Sequence, residues 1–262
     1  MKFSIVGTRM WMDGAALPHH GTKNTSGKHR DLKFGVLHYT GSPWFKSDLY
    51  TLTQRLSVHF LIGPEPGQFV QIGDLDDTLW HAGKSKWKGL SGLNKYSIGV
   101  EVTCPGWLDL PTDKGWTRDD LRDNDMYWPE DQVVVARHRN GGRNKAWVPF
   151  NPHQMEVLSE LCPFLRRALD IEWVGHDDIA PNRKQDPGPC LDRKFIAEWN
   201  GAEIETASRL LKKGDKGALV KDLQAHLASL GYEVGPIDGD FGPKTQKAVV
   251  KFQTDNKLRV QQ

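Results

Sequence analysis

Four short apolar runs, each closed off by turn residues, limit what this chain can fold into: FGVLHYTG (34–41), SVHFLIG (57–63), QFVQIG (68–73) and SIGVEVT (97–103). Each has the length of a strand and is too short for a helix, and glycine or proline stands at or just beyond its end. The second and third flank Gly-Pro-Glu-Pro-Gly and read as a β-hairpin. Ser47 to Arg55 reads as a helix. Farther on, Asn151 is a natural N-cap with Pro152 at the first helical position, and Met155, Leu158, Leu161, Leu165 and Leu169 recur at helical spacing. The expected fold class is α/β, a mixed central sheet flanked by helices, over residues 1–202. Residues 1–33, polar and rich in Gly, His and Lys, read as an irregular lead-in. Residues 104–131, rich in Asp, Pro and Trp, also read as irregular, with Val133 to Val135 as one more strand.

A second unit is expected at 203–262, after a polar connection at Glu203 to Ser208. Asp215 is a plausible N-cap, Leu219, Val220, Leu223, Leu227 and Leu230 make one apolar stripe, and Gly231 stops the helix. The run PIDGDFGPKTQKAVVKFQ then turns into another helix, with Ala248, Val249 and Phe252 facing inward.

The bulk properties exclude more than they assign. The chain has 262 residues, 26% of them charged, and a formal net charge of +2, which argues against nucleic acid as a partner. Charge is uneven, with ten Lys/Arg against six Asp/Glu from Arg209 onward. Such a tail suits an anionic polymer, or is simply solvated surface. Three cysteines do not make a disulfide framework and fit a reducing compartment. No apolar stretch reaches the roughly 18 residues of a membrane span. The N-terminal MKFSIVGTRMWMDG lacks the apolar core of a signal peptide, so a cytosolic origin is expected.

Chemistry gathers at two places. His38 closes a strand, where side chains face the mouth of a sheet. VGHDDIAPNRKQDPGPC carries His176, Lys184 and Asp186 on one proline-rich loop after an apolar run. Two imidazoles and a carboxylate suit zinc, with a fourth position left for water, as hydrolytic sites require. Glu101 lies opposite Ile98 and Val100 on its strand and could act as a base; Lys184 could stabilise an oxyanion. Spacing alone leaves the bland alternatives open: a surface His176, a satisfied core His38, a solvated Lys184, a loop-capping Asp186 and a solvent-facing Glu101.

Taken together, FGVLHYTG, SVHFLI, FVQIGDLDDTLWHAG, SIGVEV and VGHDDIAPNRKQDPGPC resemble, in order, the N-acetylmuramoyl-L-alanine amidase family related to peptidoglycan-recognition proteins. The resemblance implies a zinc ion held by His38, His176 and Asp186, with Glu101 and Lys184 catalytic. Trp80 and His81 read as lining the substrate groove, with His81 equally readable as a structural, hydrogen-bonding histidine. Some relatives carry a thiolate where Asp186 stands; Cys190, four residues on, reads as a packed thiol. His59 reads as buried structure. The 104–150 segment is longer than the resemblance implies for the shorter family members and reads as an insertion; its Trp107, Trp116, Trp128 and Trp147 read as core or as a sugar platform. The tail, through Asp238-Gly239-Asp240-Phe241-Gly242 and Thr245, resembles the peptidoglycan-binding domain 1 family, a three-helix wall-binding module.

The expected function is cleavage of the amide between N-acetylmuramic acid and the L-alanine of the stem peptide. The expected partner is peptidoglycan, with no membrane insertion and a monomeric chain. A wall-binding module without a signal peptide suggests a phage endolysin, made in the host cytoplasm and reaching the wall once the membrane is breached. The alternatives are a bacterial muropeptide-recycling amidase and a non-catalytic recognition protein of the same fold. The latter would be expected to lack a zinc ligand or Glu101.

Overall fold

The apolar runs form the strands of one sheet. They are β1 (Phe34–Tyr39), β2 (Phe60–Ile62), β3 (Phe69–Gln71) and β4 (Ser97–Val102), joined by a late strand, β5 (Glu172–Gly175). The computed structural model describes residues 1–28, 31–201 and 211–255. The sheet order is β5-β1-β4-β2-β3. The first four strands in that order are parallel, and β3 returns antiparallel beside β2 through the expected hairpin. The sheet is therefore mixed, as the sequence predicts.

Parallel strands need cover on both faces, which is why their sequences are apolar almost throughout. Leu37, Ile98, Val100, Val102 and Trp173 share one core with Val157, Leu158, Leu161 and Leu165 of the long helix Pro152–Leu169. That helix begins with a capping box: Gln154 N–H donates to Asn151 Oδ1 and Asn151 N–H to Gln154 Oε1, each at 2.9 Å. Gly35 has to be glycine, because a Cβ there would lie 2.5 Å from the Trp173 ring on the neighbouring strand. On the other face, Leu61, Val70 and Ile72 pack under the helix Phe45–Gln54.

Two segments are more ordered than their composition suggests. The lead-in forms a three-stranded sheet, Phe3–Val6, Arg9–Met12 and Ala15–Ala16, and Thr25–Lys28 pairs with Asp77–Leu79. It covers β3, the open edge of the main sheet: Met10 N–H donates to Gln71 Oε1 at 2.8 Å, and Gln71 donates to the Thr8 carbonyl at 2.9 Å. Phe3 with Ile5, and Met10 with Met12, alternate for only four residues at a time, too briefly to stand out among Gly, His and Lys. The 104–150 segment likewise folds. Trp107–Leu108, Asn144–Trp147 and Val134–Arg137 make a three-stranded antiparallel sheet, and Leu110–Thr112 pairs with Gly115–Thr117. Leu108, Leu121 and Ala146 form its small core beside Trp116 and Trp128.

The chain divides into two units, Met1–Ala202 and Glu203–Gln262. The second contains helices Ala218–Ser229 and Pro243–Asp255 around Leu227, Val234 and Ala248, with Val249 and Phe252 packed against them. A third helix is not among the described residues, and the Glu203 to Ser208 connection lies outside them. Gly217, not Asp215, precedes the first helix, and Leu230 is 54% exposed, so the stripe ends one turn early. The Asp-Gly-Asp-Phe-Gly turn is anchored by buried Phe241, as its sequence suggests. It is also held by buried Gln224, which accepts from Gly239 N–H at 2.8 Å and donates to the Asp240 carbonyl at 3.0 Å.

Candidate metal centre

His38 and Glu101 are the penultimate residues of β1 and β4 and are direct partners in that parallel pair. In-register neighbours on parallel strands project to the same face, so the imidazole and the carboxyl stand side by side at the carboxyl end of the sheet. β5 ends at Gly175 and runs straight into the short helix His176–Ile179, which delivers a second imidazole next to the first. The following loop returns Asp186 to the same point. His38 Nδ1 lies 2.8 Å from His176 Nδ1 and 3.0 Å from Asp186 Oδ2, and His176 Nδ1 lies 2.9 Å from that oxygen. All three residues are buried.

The far side of each ring fixes what faces inward. His176 Nε2 sits 3.1 Å from the Ala82 carbonyl, an acceptor only; Arg183 Nη2, 3.3 Å from that nitrogen, donates at 2.9 Å to the same carbonyl, so we assign the proton to Nε2 and leave Nδ1 bare. His81 Nε2 faces the Ser97 carbonyl at 3.4 Å, which leaves His81 Nδ1 to accept from His38 Nε2 at 3.1 Å. His38 Nδ1 is bare as well. Two imidazole lone pairs and a carboxylate oxygen therefore converge with no proton between them, an arrangement that asks for a cation. Zinc bonds of about 2.0–2.1 Å in a tetrahedron place two donors about 3.3 Å apart, within a few tenths of an ångström of these separations. The donor set fits zinc. Burial, and then the neighbouring His176, push His38 down to about 4. Burial would raise the Asp186 carboxyl, but the His176 and His38 rings beside it outweigh that and hold the group well below its ordinary range. His38 is thus neutral and Asp186 ionised near neutral pH, the states that metal binding needs.

Glu101 Oε2 is buried and has no hydrogen-bond partner among the described residues. Burial, reinforced by Asp186, raises this carboxyl well above the usual range. Lys184 is half-buried, makes no ion pair with a described residue, and its charge opposes both the raised Glu101 and the protonation of His38. Beside these groups opens a cleft of about 590 Å³ whose walls include Tyr39, Thr40, Trp107, Asn140, Lys184 and Asp186.

Trp80 and His81, expected to line the groove, are not among the walls of this cleft. Both His81 nitrogens are taken, by His38 and by Ser97, and its ring lies over Gly99, where a Cβ would approach it to 2.7 Å. His81 therefore orients a ligand rather than a substrate. Trp80 is 42% exposed, bonds through its indole N–H to Ser26 Oγ at 2.9 Å, and is not among the residues lining the cleft. Trp107 takes that place, with the Lys145 ammonium 3.3 Å above its ring. Of the other tryptophans, Trp147 is wholly buried and Trp116 and Trp128 pack in the insertion. His59 is structural, accepting from Gly99 N–H at 3.0 Å and facing the Asp77 carbonyl at 3.1 Å. Cys190 is buried in the main core and is not one of the three donors.

Comparison with known proteins bears on the whole chain. Residues 28–189 match the family model described as N-acetylmuramoyl-L-alanine amidase, and residues 216–260 match a putative peptidoglycan binding domain. The N-acetylmuramoyl-L-alanine amidase AmiD of Escherichia coli (strain K12) is 28% identical over an alignment of 234 residues that covers 84% of this chain and 72% of AmiD. The 1,6-anhydro-N-acetylmuramyl-L-alanine amidase AmpD of the same organism is 28% identical over 138 residues, 53% of this chain and 55% of AmpD. A solved complex of E. coli AmiD with anhydro-N-acetylmuramic acid-L-Ala-D-gamma-Glu-L-Lys is 25% identical and covers 88% of this chain and 82% of that one, with a TM-score of 0.49.

Proposed function

The chain belongs to the N-acetylmuramoyl-L-alanine amidase family and carries a peptidoglycan-binding domain behind it, and from that premise we propose that it is a zinc-dependent hydrolase of the muramoyl–L-alanine amide. The observation that carries this reading is the convergence of His38, His176 and Asp186 beside a buried Glu101 Oε2 that has no hydrogen-bond partner among the described residues.

A zinc ion held by His38, His176 and Asp186 would polarise the scissile carbonyl and activate water. Glu101, standing beside His38, takes the proton of the attacking water. Its raised affinity lets it take and hold that proton until the departing L-alanine amine, the stronger base, accepts it. Lys184 places positive charge where the oxyanion develops. Trp107, Thr40 and Gly41 are part of the cleft wall along which the substrate would lie.

The endolysin expectation has no counterpart among the relatives described, which are bacterial amidases, and the alternative reading takes its place. AmpD is named for 1,6-anhydro-N-acetylmuramyl-L-alanine. We take muropeptides of that kind as substrate here, with the C-terminal domain extending the reach to intact wall by raising local concentration. No helix among the described residues is long and apolar enough to cross a membrane. The test is mass spectrometry of two digests, 1,6-anhydromuramyl peptide and purified sacculi, with native protein and Glu101→Gln. Native protein is expected to release peptides beginning with L-alanine from both, and the variant from neither. New reducing sugar ends, or cleavage within the stem peptide, would overturn the assignment.

A further inference from the structure

We propose that the 104–150 insertion braces the metal-ligand loop, and that Arg139, with His138 and Asn140, is a positioning residue for His176 and Asp186. The proposal rests on the reading of His38, His176 and Asp186 as a zinc site.

Asp177 follows His176 directly, and its backbone N–H donates to the Asp186 carbonyl at 2.8 Å. This bond is the backbone tie between the two ligands of the loop. The Asp177 side chain is wholly buried, so whatever holds it also sets the spacing of the ligands on either side. Most of what holds it comes from the insertion. Arg139 Nε donates to Asp177 Oδ2 at 3.0 Å, His138 Nε2 to the same oxygen at 3.2 Å, and Asn140 Nδ2 to the Asp177 carbonyl at 2.9 Å. His138 Nδ1 accepts from Asn140 N–H at 3.1 Å, which leaves the proton on Nε2 and makes that contact a neutral donation. Arg139 also bonds to Asp178, whose other oxygen accepts from Gly175 N–H at 2.7 Å and so fixes the exit of β5.

These three residues sit at the tip of a hairpin. The strands Val134–Arg137 and Asn144–Trp147 are its arms, Gly141 and Gly142 turn the chain with φ of +104° and +96°, and wholly buried Trp147 roots it in the main core. On the other side, Arg193 is the one further cation among the described residues that reaches the same carboxylates, at 3.3 Å to Asp177 and 2.6 Å to Asp178. Gly175 completes the fit, since a Cβ there would lie 2.3 Å from Asp177 Oδ1. Removing Arg139 leaves a buried carboxylate with one weaker cation, and the loop is freed to relax away from its ligand spacing.

The experiment is a zinc titration of chelator-stripped full-length protein against a competing indicator, for the native chain, Arg139→Ala and Arg139→Lys. Thermal melts of the metal-free forms run alongside. The expected result is a zinc Kd about tenfold or more weaker in Arg139→Ala, partly restored by the lysine. A Kd within twofold of native, whatever the melts show, would mean that the insertion merely stabilises the fold, and the proposal would be overturned. If native protein itself takes up no zinc, the site reading fails and the brace falls with it, a result distinct from the previous one. Should Arg139→Ala not fold, Asn140→Ala, which removes only the bond to the Asp177 carbonyl, is judged by the same criterion.

Discussion

The centre has two halves built by different means. His38 and Glu101 ride on paired strands, where every backbone bond of the ladder fixes their register. His176, Lys184 and Asp186 ride on a loop, where position depends on side-chain clasps: Arg183 to the Ala82 and Lys84 carbonyls at 2.9 and 3.0 Å, and the Asp177 network. The difference teaches that one catalytic constellation can be rigid through the sheet on one side and rigid only through ion pairs on the other. The strand half should tolerate distant change, and the loop half should not.

The largest effect tests whether the halves form one centre at all. His38→Ala and His176→Ala are each expected to lower kcat/KM by about 10³-fold or more, since several kcal/mol of charge stabilisation go with the ion. Steady-state assay on an anhydromuramyl peptide checks this; a loss below tenfold in either variant would break the comparison. Next, Glu101→Gln should lower kcat by about 10³-fold while keeping zinc content and KM near native, because it removes a proton carrier and not a ligand. Lys184→Met should cost about 10²-fold in kcat, read in the same assay.

A smaller effect separates the halves by pH. His38 has its affinity for protons pushed down to about 4 in the folded chain, against 6.5 unfolded. Between those values the unfolded chain binds a proton that the folded chain refuses. Stability is therefore full above 6.5 and falls as pH drops through the window toward 4. For metal-free protein the loss is up to about 3 kcal/mol, measurable by urea melts at a series of pH values. His38→Asn should flatten that slope.

The strand half was legible in the sequence for a physical reason. A buried parallel strand advertises itself as an apolar run, and a His or Glu near the end of such a run has only the sheet mouth to face. The loop ligands were legible through their resemblance to a family, since no local spacing says that residues 138 positions apart meet. What stayed hidden was held by polar contacts. His81 carries the same letters whether it meets a sugar or a ligand's far nitrogen, and Gly99, which makes room for it, looks like any strand glycine. Residues 104–131 read as irregular because their strands run only two or three residues, and nothing in the sequence singled out Arg139. In the tail, Gln224 gave no apolar signal although it ties the turn together.

The most direct measurement is reconstitution. Chelator-stripped protein is titrated with zinc while release of L-alanine-terminated peptide is followed. Activity absent in the stripped chain should return and level off at one zinc per chain for native protein, and at no zinc concentration for His176→Ala. Full activity in the stripped protein, or recovery in the variant at the native stoichiometry, would contradict a metal centre built from these three side chains.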